Sequence, residues 1–261
     1  MTVGRADYPI GVTTERGRLF VGTSGFSYPS WVPRFYAPGK ASRKLLVAYA
    51  ERLPAVELHT TFYRRPPPEQ VVKWLRETPD SFRFCPKAQR ATAWRAWASD
   101  DPAPSIAWLT EALGVFGDRL GCVLLSTRGS LELDEAALER VLRAWPRELR
   151  LALELMHPSW AHDDVDERLA EAGATRVAND WDDRDEPALA DGGSGFVYLR
   201  LRRSSYLAAD LDRWAGRLEA VLASGTDAFV FFRHDEDGQM ALHAESLLDR
   251  LGGFPGQAAD A

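Results

Sequence analysis

The chain has 261 residues, 45% hydrophobic and 27% charged, which excludes a disordered polymer and allows one large domain or two small ones at ~100–200 residues each. Two cysteines exclude a disulfide scaffold, and 38 acidic against 32 basic residues, a net charge of −6, give no global attraction to phosphate backbones. Nucleic acid is therefore not the expected partner, although a local basic patch is compatible with this balance. The opening MTVGRADYPI lacks a basic stretch followed by an apolar run, and no segment approaches the ~18 apolar residues of a membrane span, so a soluble cytoplasmic protein with no membrane partner is expected. Cys85 and Cys122 form no CxxC pair, and each is expected to pack as a small buried hydrophobe.

In chain order, residues 1–17 and 252–261 carry no periodicity and are expected as flexible tails around a single domain over 18–251. Strand patterns fall at Leu19–Ser24, Val56–Tyr63, Phe82–Lys87, Gly121–Thr127, Leu149–Met156, Thr175–Asp180, Phe196–Arg202 and Ala228–His234. Helical patterns lie between them at Arg43–Arg52, Glu69–Glu77, Ser105–Phe116, Asp134–Trp145 (capped by Asp134), Asp164–Ala172 and Leu211–Ala223, with Asp182–Leu189 the weakest.

Eight β–α repeats in about 230 residues match a (β/α)8 TIM-type barrel, whose usual size is ~250 residues; a doubly wound open sheet is the alternative. Alternation within the strands favours closure, because strands of an open parallel sheet are usually apolar on both faces. In VELHTTFY, Val56, Leu58, Thr60 and Phe62 share one face, and Glu57, His59, Thr61 and Tyr63 the other. LRLALELM opposes Leu151, Leu153 and Leu155 to Arg150, Ala152 and Glu154, and VYLRLR turns Val197, Leu199 and Leu201 outward and Tyr198, Arg200 and Arg202 inward.

The segments VGTSGFSYPSWVPRFY, VELHTTFYRRPPPEQ, LALELMHPSW, FVYLRLRRSSY and FVFFRHDEDGQMALHAESLL resemble the YecE-like family, catalogued as domain of unknown function seventy-two, over nearly the whole chain. The resemblance implies a TIM-type barrel and carries no established activity. Departures from the family pattern are concentrated at strand ends. Glu57-Leu58-His59 replaces Glu-Ile-Asn, and Ala93-Trp94 stands where relatives carry Thr-His. Met156 replaces an arginine, Leu125-Ser126-Thr127-Arg128 replaces Gln-Leu-Pro-Pro, Arg202-Arg203 replaces His-Gly, and Arg233-His234 replaces Asn-Asn. The chain thus resembles a divergent member, whose substrate or activity can differ.

A barrel would gather Ser24, His59, Tyr63, Lys87, Glu154, His157, Asp180, Arg200, Arg202 and Arg233 at its carboxyl-terminal mouth, as either a satisfied ion network or a polar site. Lys87 reads as an anion clamp or amine nucleophile, or as the ion-pair partner of Glu57 or Glu154. Glu154 and Asp180 read as a general acid/base pair, metal ligands, or charge partners for Arg200 and Lys87. His157 is a candidate base or a turn-orienting group, and Glu57, deeper in its strand, is read as structural. Arg200 and Arg202 present forked donors suited to carboxylate or phosphate, the best anion-binding signal in the chain.

Phe26, Tyr28, Trp31, Tyr36, Trp94, Trp97, Trp160 and Trp181 follow strands, where they either form a lid or offer stacking platforms. GTSGF is not a nucleophile elbow, so Ser24 is expected to line the pocket, and no GxGxxG, Walker A or H-E-x-x-H occurs. The reading is an enzyme acting on a small anionic or sugar-like ligand, with Lys87, Glu154, Asp180 and His157 as catalytic candidates and Ser24, Tyr63, Arg200, Arg202 and Trp160 as binding candidates. A metal-assisted hydrolase, isomerase or phosphodiesterase using Glu154, Asp180 and His157, and a non-catalytic protein with a degenerated site, are the alternatives. No metal site is expected, and no cofactor can be assigned.

Overall fold

The structure, a computed structural model, describes residues 15–39, 44–189 and 193–253. Most of both expected tails lies outside these residues. Gly17, at the inner end of the first, is tied down by its N–H, which donates to Leu222 O at 2.8 Å.

Strands and helices alternate as β1 (Leu19–Thr23), α1 (Leu45–Ala50), β2 (Ala55–Leu58), α2 (Pro68–Arg76), β3 (Arg83–Pro86), α3 (Arg90–Ala98), α4 (Ala103–Leu113), β4 (Val123–Ser126), α5 (Glu135–Ala144), β5 (Leu151–Glu154), α6 (Asp163–Glu171), β6 (Ala174–Asp180), β7 (Phe196–Leu201), α7 (Ala208–Ala223), β8 (Asp227–Phe232) and α8 (Gln239–Arg250). Among the described residues no helix is long and apolar enough to cross a membrane.

All strand pairs are parallel, but they form two sheets: six strands in the order β1-β8-β7-β6-β5-β4, and the pair β2-β3. The closed (β/α)8 barrel expected from the sequence is therefore corrected to a six-stranded parallel sheet with a separate two-stranded one. Between the sheets, pairing is reduced to isolated bridges: Ser24 with Glu57, Phe84 with Leu120 and Lys87 with Leu124.

Two local causes account for the interruptions. Between β1 and β2 the Tyr49 hydroxyl is inserted, accepting from Thr23 N–H at 2.8 Å and donating to Ala55 O at 2.9 Å, in place of a direct backbone bond. Gly22 permits this approach, since a Cβ there would lie 2.0 Å from Ala55 O. On β3, the N–H groups of Arg83 and Lys87 point to β2, at Pro54 O and Leu58 O, while Ala88 N–H points to β4 at Leu124 O. Pro86 occupies the alternate register that faces β4 and has no N–H to give, so the ladder breaks there.

The alternation read from the sequence holds. Val56, Leu58, Leu151, Leu153, Val197, Leu199 and Leu201 belong to the outer core against the helices. Ala55, Cys85, Cys122, Ala152, Tyr198, Phe229 and Phe231 form a second, inner cluster, which includes both cysteines. This cluster lies between charged residues at the amino ends of the strands, where Arg18 and Arg150 pair with Asp227, and the polar residues at the carboxyl ends.

The second strand is shorter than expected. It stops at Leu58, and Thr60–Phe62 is a 3-10 turn. Thr61 Oγ1 lies 2.6 Å from Leu58 O and 2.7 Å from Lys87 O, so a side-chain hydroxyl occupies strand-end carbonyls. Residues 182–189 form no helix: Asp182 accepts from Ser204 N–H, and Glu186 is drawn to Arg213 on α7. Helices α3 and α8 escaped the sequence reading. In α3 the buried Ala93, Ala96 and Trp97 are mixed with a Trp94 that points elsewhere, which blurs the helical period.

Tyr49→Phe removes the inserted hydroxyl and leaves Thr23 N–H and Ala55 O buried without it. Urea unfolding is expected to show a loss of about 1–3 kcal/mol; unchanged stability would mean that the hydroxyl does not join the two sheets.

Candidate functional site

Five side chains from four strand ends form one buried ion network. Glu57, fully buried, accepts from Ser24 Oγ at 2.6 Å, from Tyr198 OH at 2.9 Å, from Arg200 Nε and Nη2 at 3.0 and 2.9 Å, and from Arg202 Nη2 at 3.2 Å. Arg200 continues through Nη1 to Glu154 Oε1. Glu154 Oε2 accepts from Ser126 Oγ at 2.6 Å and faces Lys87 Nζ at 3.4 Å. The order across the inner face is thus Arg202, Glu57, Arg200, Glu154, Lys87.

Register produces this convergence. Tyr198, Arg200 and Arg202 share the inner parity of the β7 segment, Glu57 and Glu154 have that parity on β2 and β5, and Lys87 directly follows β3. Burying an isolated charge costs several kcal/mol, so these groups persist because each has a partner of opposite charge, and Glu57, Glu154 and Arg200 several hydrogen bonds besides.

The carboxylates are held ionised. Burial pushes Glu154 up, but Arg200 and Lys87 outweigh it and hold the group at about 2. Glu57 is likewise pushed up by burial and carried well below the ordinary range by Arg200 and Arg202. Burial lowers Lys87 against the opposing pull of Glu154, and burial with the neighbouring Arg200 charge lowers Arg202 to about 10. Burial brings His59 down to about 4, with Lys87, Arg200 and Arg202 adding to the effect against Glu57.

Above the network lies a pocket of about 360 Å³ lined by His59, Lys87, Glu154, Met156, Trp181, Arg200, Arg202, Arg233 and His234. Three buried cations face two buried carboxylates, so one positive charge is uncompensated, and the exposed Arg233 adds another. Arg202 Nε is buried with no hydrogen-bond partner. Among the described residues, no three of His, Cys, Asp and Glu are grouped closely enough to hold a metal ion.

The family described as "Protein of unknown function DUF72" matches residues 20–260. The chain belongs to this family. The Escherichia coli K12 protein "UPF0759 protein YecE" is 29% identical over 170 residues, 62% of this chain and 59% of that protein. "UPF0759 protein YunF" of Bacillus subtilis is 37% identical over 70 residues, 27% of this chain and 24% of that one. In three dimensions the fold is similar to a DUF72 family protein (TM1631) of Thermotoga maritima, with a TM-score of 0.77, 23% identity, and 90% of this chain and 99% of that chain covered. A DUF72 family protein (EF0366) of Enterococcus faecalis gives 0.70, 19%, 90% and 99%.

In this DUF72 family member the candidates drawn from the sequence separate into two groups. Ser24, Lys87, Glu154, Arg200 and Arg202 meet in the network, as do His59 and Arg233 at the pocket wall. Asp180 does not join them. It sits one step out of parity from Val177 and Asn179, and its carboxylate accepts from Trp214 Nε1, Tyr206 OH and Arg203 Nε on the outer side, anchoring α7 and the segment before it. His157 is also outside the pocket: Nδ1 accepts from Ser159 N–H at 3.2 Å and organises the Pro158–Trp160 turn.

Trp160 is wholly buried in the outer core against Trp97, its Nε1 donating to Leu131 O at 2.7 Å. Tyr63 is 65% exposed, because the strand ends before it and the 3-10 turn carries it away. The aromatic residues likewise divide. Trp31 and Tyr36 are core, Tyr28 stacks on His234 at 5.3 Å, and Trp181 alone of the post-strand tryptophans lines the pocket. The strongest residue undervalued in the sequence is Glu57, whose inner parity with Arg200 was the available signal.

Arg200→Ala would strand Glu57 and Glu154 without their shared partner, and a loss of about 3–5 kcal/mol in chemical unfolding is expected. A much smaller loss would show that Lys87 and Arg202 suffice to hold both carboxylates.

The pH response follows from the signs. A histidine lowered in the folded state contributes stability that is lost as pH falls from its ordinary 6.5 towards about 4, and Glu154 contributes stability lost as pH falls from its ordinary 4.5 towards about 2. The His59 ring is expected to titrate by NMR well below pH 6. A midpoint near 6.5 would mean that the ring is not desolvated.

Proposed function

We propose that this protein is an enzyme for a small anionic ligand, such as a carboxylate or phosphate compound, held in the pocket by Arg202, Lys87 and Arg233, with Lys87 and Glu154 handling a proton. The observation that carries this reading is the uncompensated positive charge at the pocket, together with a buried Arg202 Nε that lacks an acceptor. A buried donor without a partner costs about 1–3 kcal/mol, and an anion supplies the missing acceptor.

Arg200 has a different part. Its Nε, Nη1 and Nη2 are all engaged by carboxylates, so it is the strut that fixes Glu57 and Glu154, and Arg202 is the group with capacity to spare. Lys87 sits where burial favours release of its proton, 3.4 Å from a carboxylate held ionised. That arrangement suits a proton donor: the ammonium proton passes to the ligand, and burial favours the neutral amine that remains. The overall charge of −6 opposes a polyanion but little affects a small anion within the pocket, because exposed charges are screened beyond about 8–10 Å.

Phosphate or sulfate at about ten times its dissociation constant is expected to add roughly 1.4 kcal/mol and raise the melting temperature by about 3–6 °C against chloride at matched ionic strength. Arg202→Met should abolish the shift and Glu154→Gln should keep it. An equal shift in wild type and Arg202→Met would refute the anion reading.

A further inference from the structure

A second cavity of about 370 Å³ lies between the loop after β1, the carboxyl end of β2 and α2. Its apolar wall is made by Phe26, Leu46, Leu58, Pro66, Pro67 and Trp74. Phe26 and Trp74 meet edge to face at 6.4 Å, so their rings have fixed mutual geometry, and Trp74 is braced from behind by Phe84 and Phe116 at 6.3 and 6.4 Å. Polar side chains ring this wall, with Arg64, Gln70, Lys73 and Glu77 on the α2 side and Ser27, Tyr28, His59 and Thr60 on the side of the strand ends.

The cavity and the site stand on either side of a shared wall. His59 lines both spaces. Tyr28 lines the apolar cavity and stacks on His234, which lines the charged pocket. The His59 ring is held 6.4 Å from His234, and His59 Nδ1 is buried without a hydrogen bond, so no bond fixes that face of the partition. Each space alone stands at the lower end of the ~300–1,000 Å³ usual for small-molecule sites, whereas the pair falls well within it.

We infer that this cavity is a second subsite, which takes an aryl or similarly flat apolar group of the same ligand whose anionic head occupies the charged pocket. The inference rests on the proposed anion site and adds the chemical class of the remainder of the ligand: an anionic group joined to a ring. Rings suit the space because its walls are ring edges and proline faces, where flat groups gain contact with little loss of rotamer freedom.

Isothermal titration of the full chain with inorganic phosphate, phenyl phosphate and phenol tests this, using wild type, Trp74→Ala and Gln70→Trp. Trp74→Ala removes a packed ring and can lower stability, whereas Gln70→Trp fills the cavity from its rim without removing a packed ring. Phenyl phosphate is expected to bind wild type about ten-fold or more tightly than inorganic phosphate, from the apolar area it buries. Gln70→Trp should bring the two within about two-fold while leaving phosphate affinity unchanged, and Trp74→Ala should reduce the advantage. Equal affinities in wild type, or an advantage that survives both substitutions, would overturn the second subsite and leave the anion site standing. Absence of phosphate binding would overturn the anion site, and with it a ligand spanning both spaces; phenol binding lost in Gln70→Trp would then still establish the apolar cavity as a separate site.

Discussion

The bidentate pair of Arg200 with Glu57, and its continuation to Glu154, is the constraint on which the arrangement turns. Glu57 lies on the two-stranded sheet, Arg200 and Glu154 on the six-stranded one. One guanidinium therefore ties the two sheets together across the inner face. Carboxylates buried this deeply stay ionised only with their partners in place, so the network depends on the juxtaposition of the two sheets and helps to hold it. Tyr198, one register step below, donates its hydroxyl to the same Glu57 and closes the network against the apolar inner cluster. Above that level the inner face is charged, and below it the face is aromatic.

Side chains replace backbone pairing at both gaps between the sheets. At one gap the Tyr49 hydroxyl joins Thr23 to Ala55, and Ser24 reaches Glu57 just beyond it. At the other, Pro86 interrupts the ladder and Lys87 then turns inward to Glu154. The interruptions fall where the site's charged groups begin, and this is mechanically sensible. A regular ladder sets side chains at fixed spacing, whereas a proline or an inserted hydroxyl lets the strand ends adjust to ion-pair geometry.

The period-two alternation is legible in the strands and puts Glu154, Arg200 and Arg202 on the inner face of theirs, while Lys87 belongs with them because it ends its strand. Failures came where that alternation was not followed strictly. Asp180 and His157 were assigned to the mouth because they end strands, yet counting from Val177 and Glu154 puts both on the outer side. Tyr63 was carried along a strand that a threonine hydroxyl had already ended. The two-sheet topology was beyond reach, because it depends on a tyrosine from α1 entering between strands that are far apart in sequence from most of their partners. Glu57 is legible as buried, but not as the centre of the site, since only the fold turns the inner faces of β7 and β2 towards each other.

Against the YecE-like pattern that the sequence resembles, the altered positions fall both in the pocket wall and within the network. Glu57, Lys87, Glu154 and Arg200, which match the pattern, make the buried framework. His59, Met156, Arg233 and His234, which depart from it, line the pocket, and Ser126 and Arg202 depart from it within the network itself. The framework cannot change piecemeal, because removing any one charge leaves its partner buried and unpaired at a cost of several kcal/mol. A lining residue has open space on one side, so exchanging it alters shape and charge at little cost to folding. Arg202 and Arg233 add positive charge to the pocket where Met156 removes it, so these exchanges redistribute charge while the carboxylates beneath stay fixed. Ligand preference can therefore diverge within this family without disturbing the ion network that holds the two sheets together.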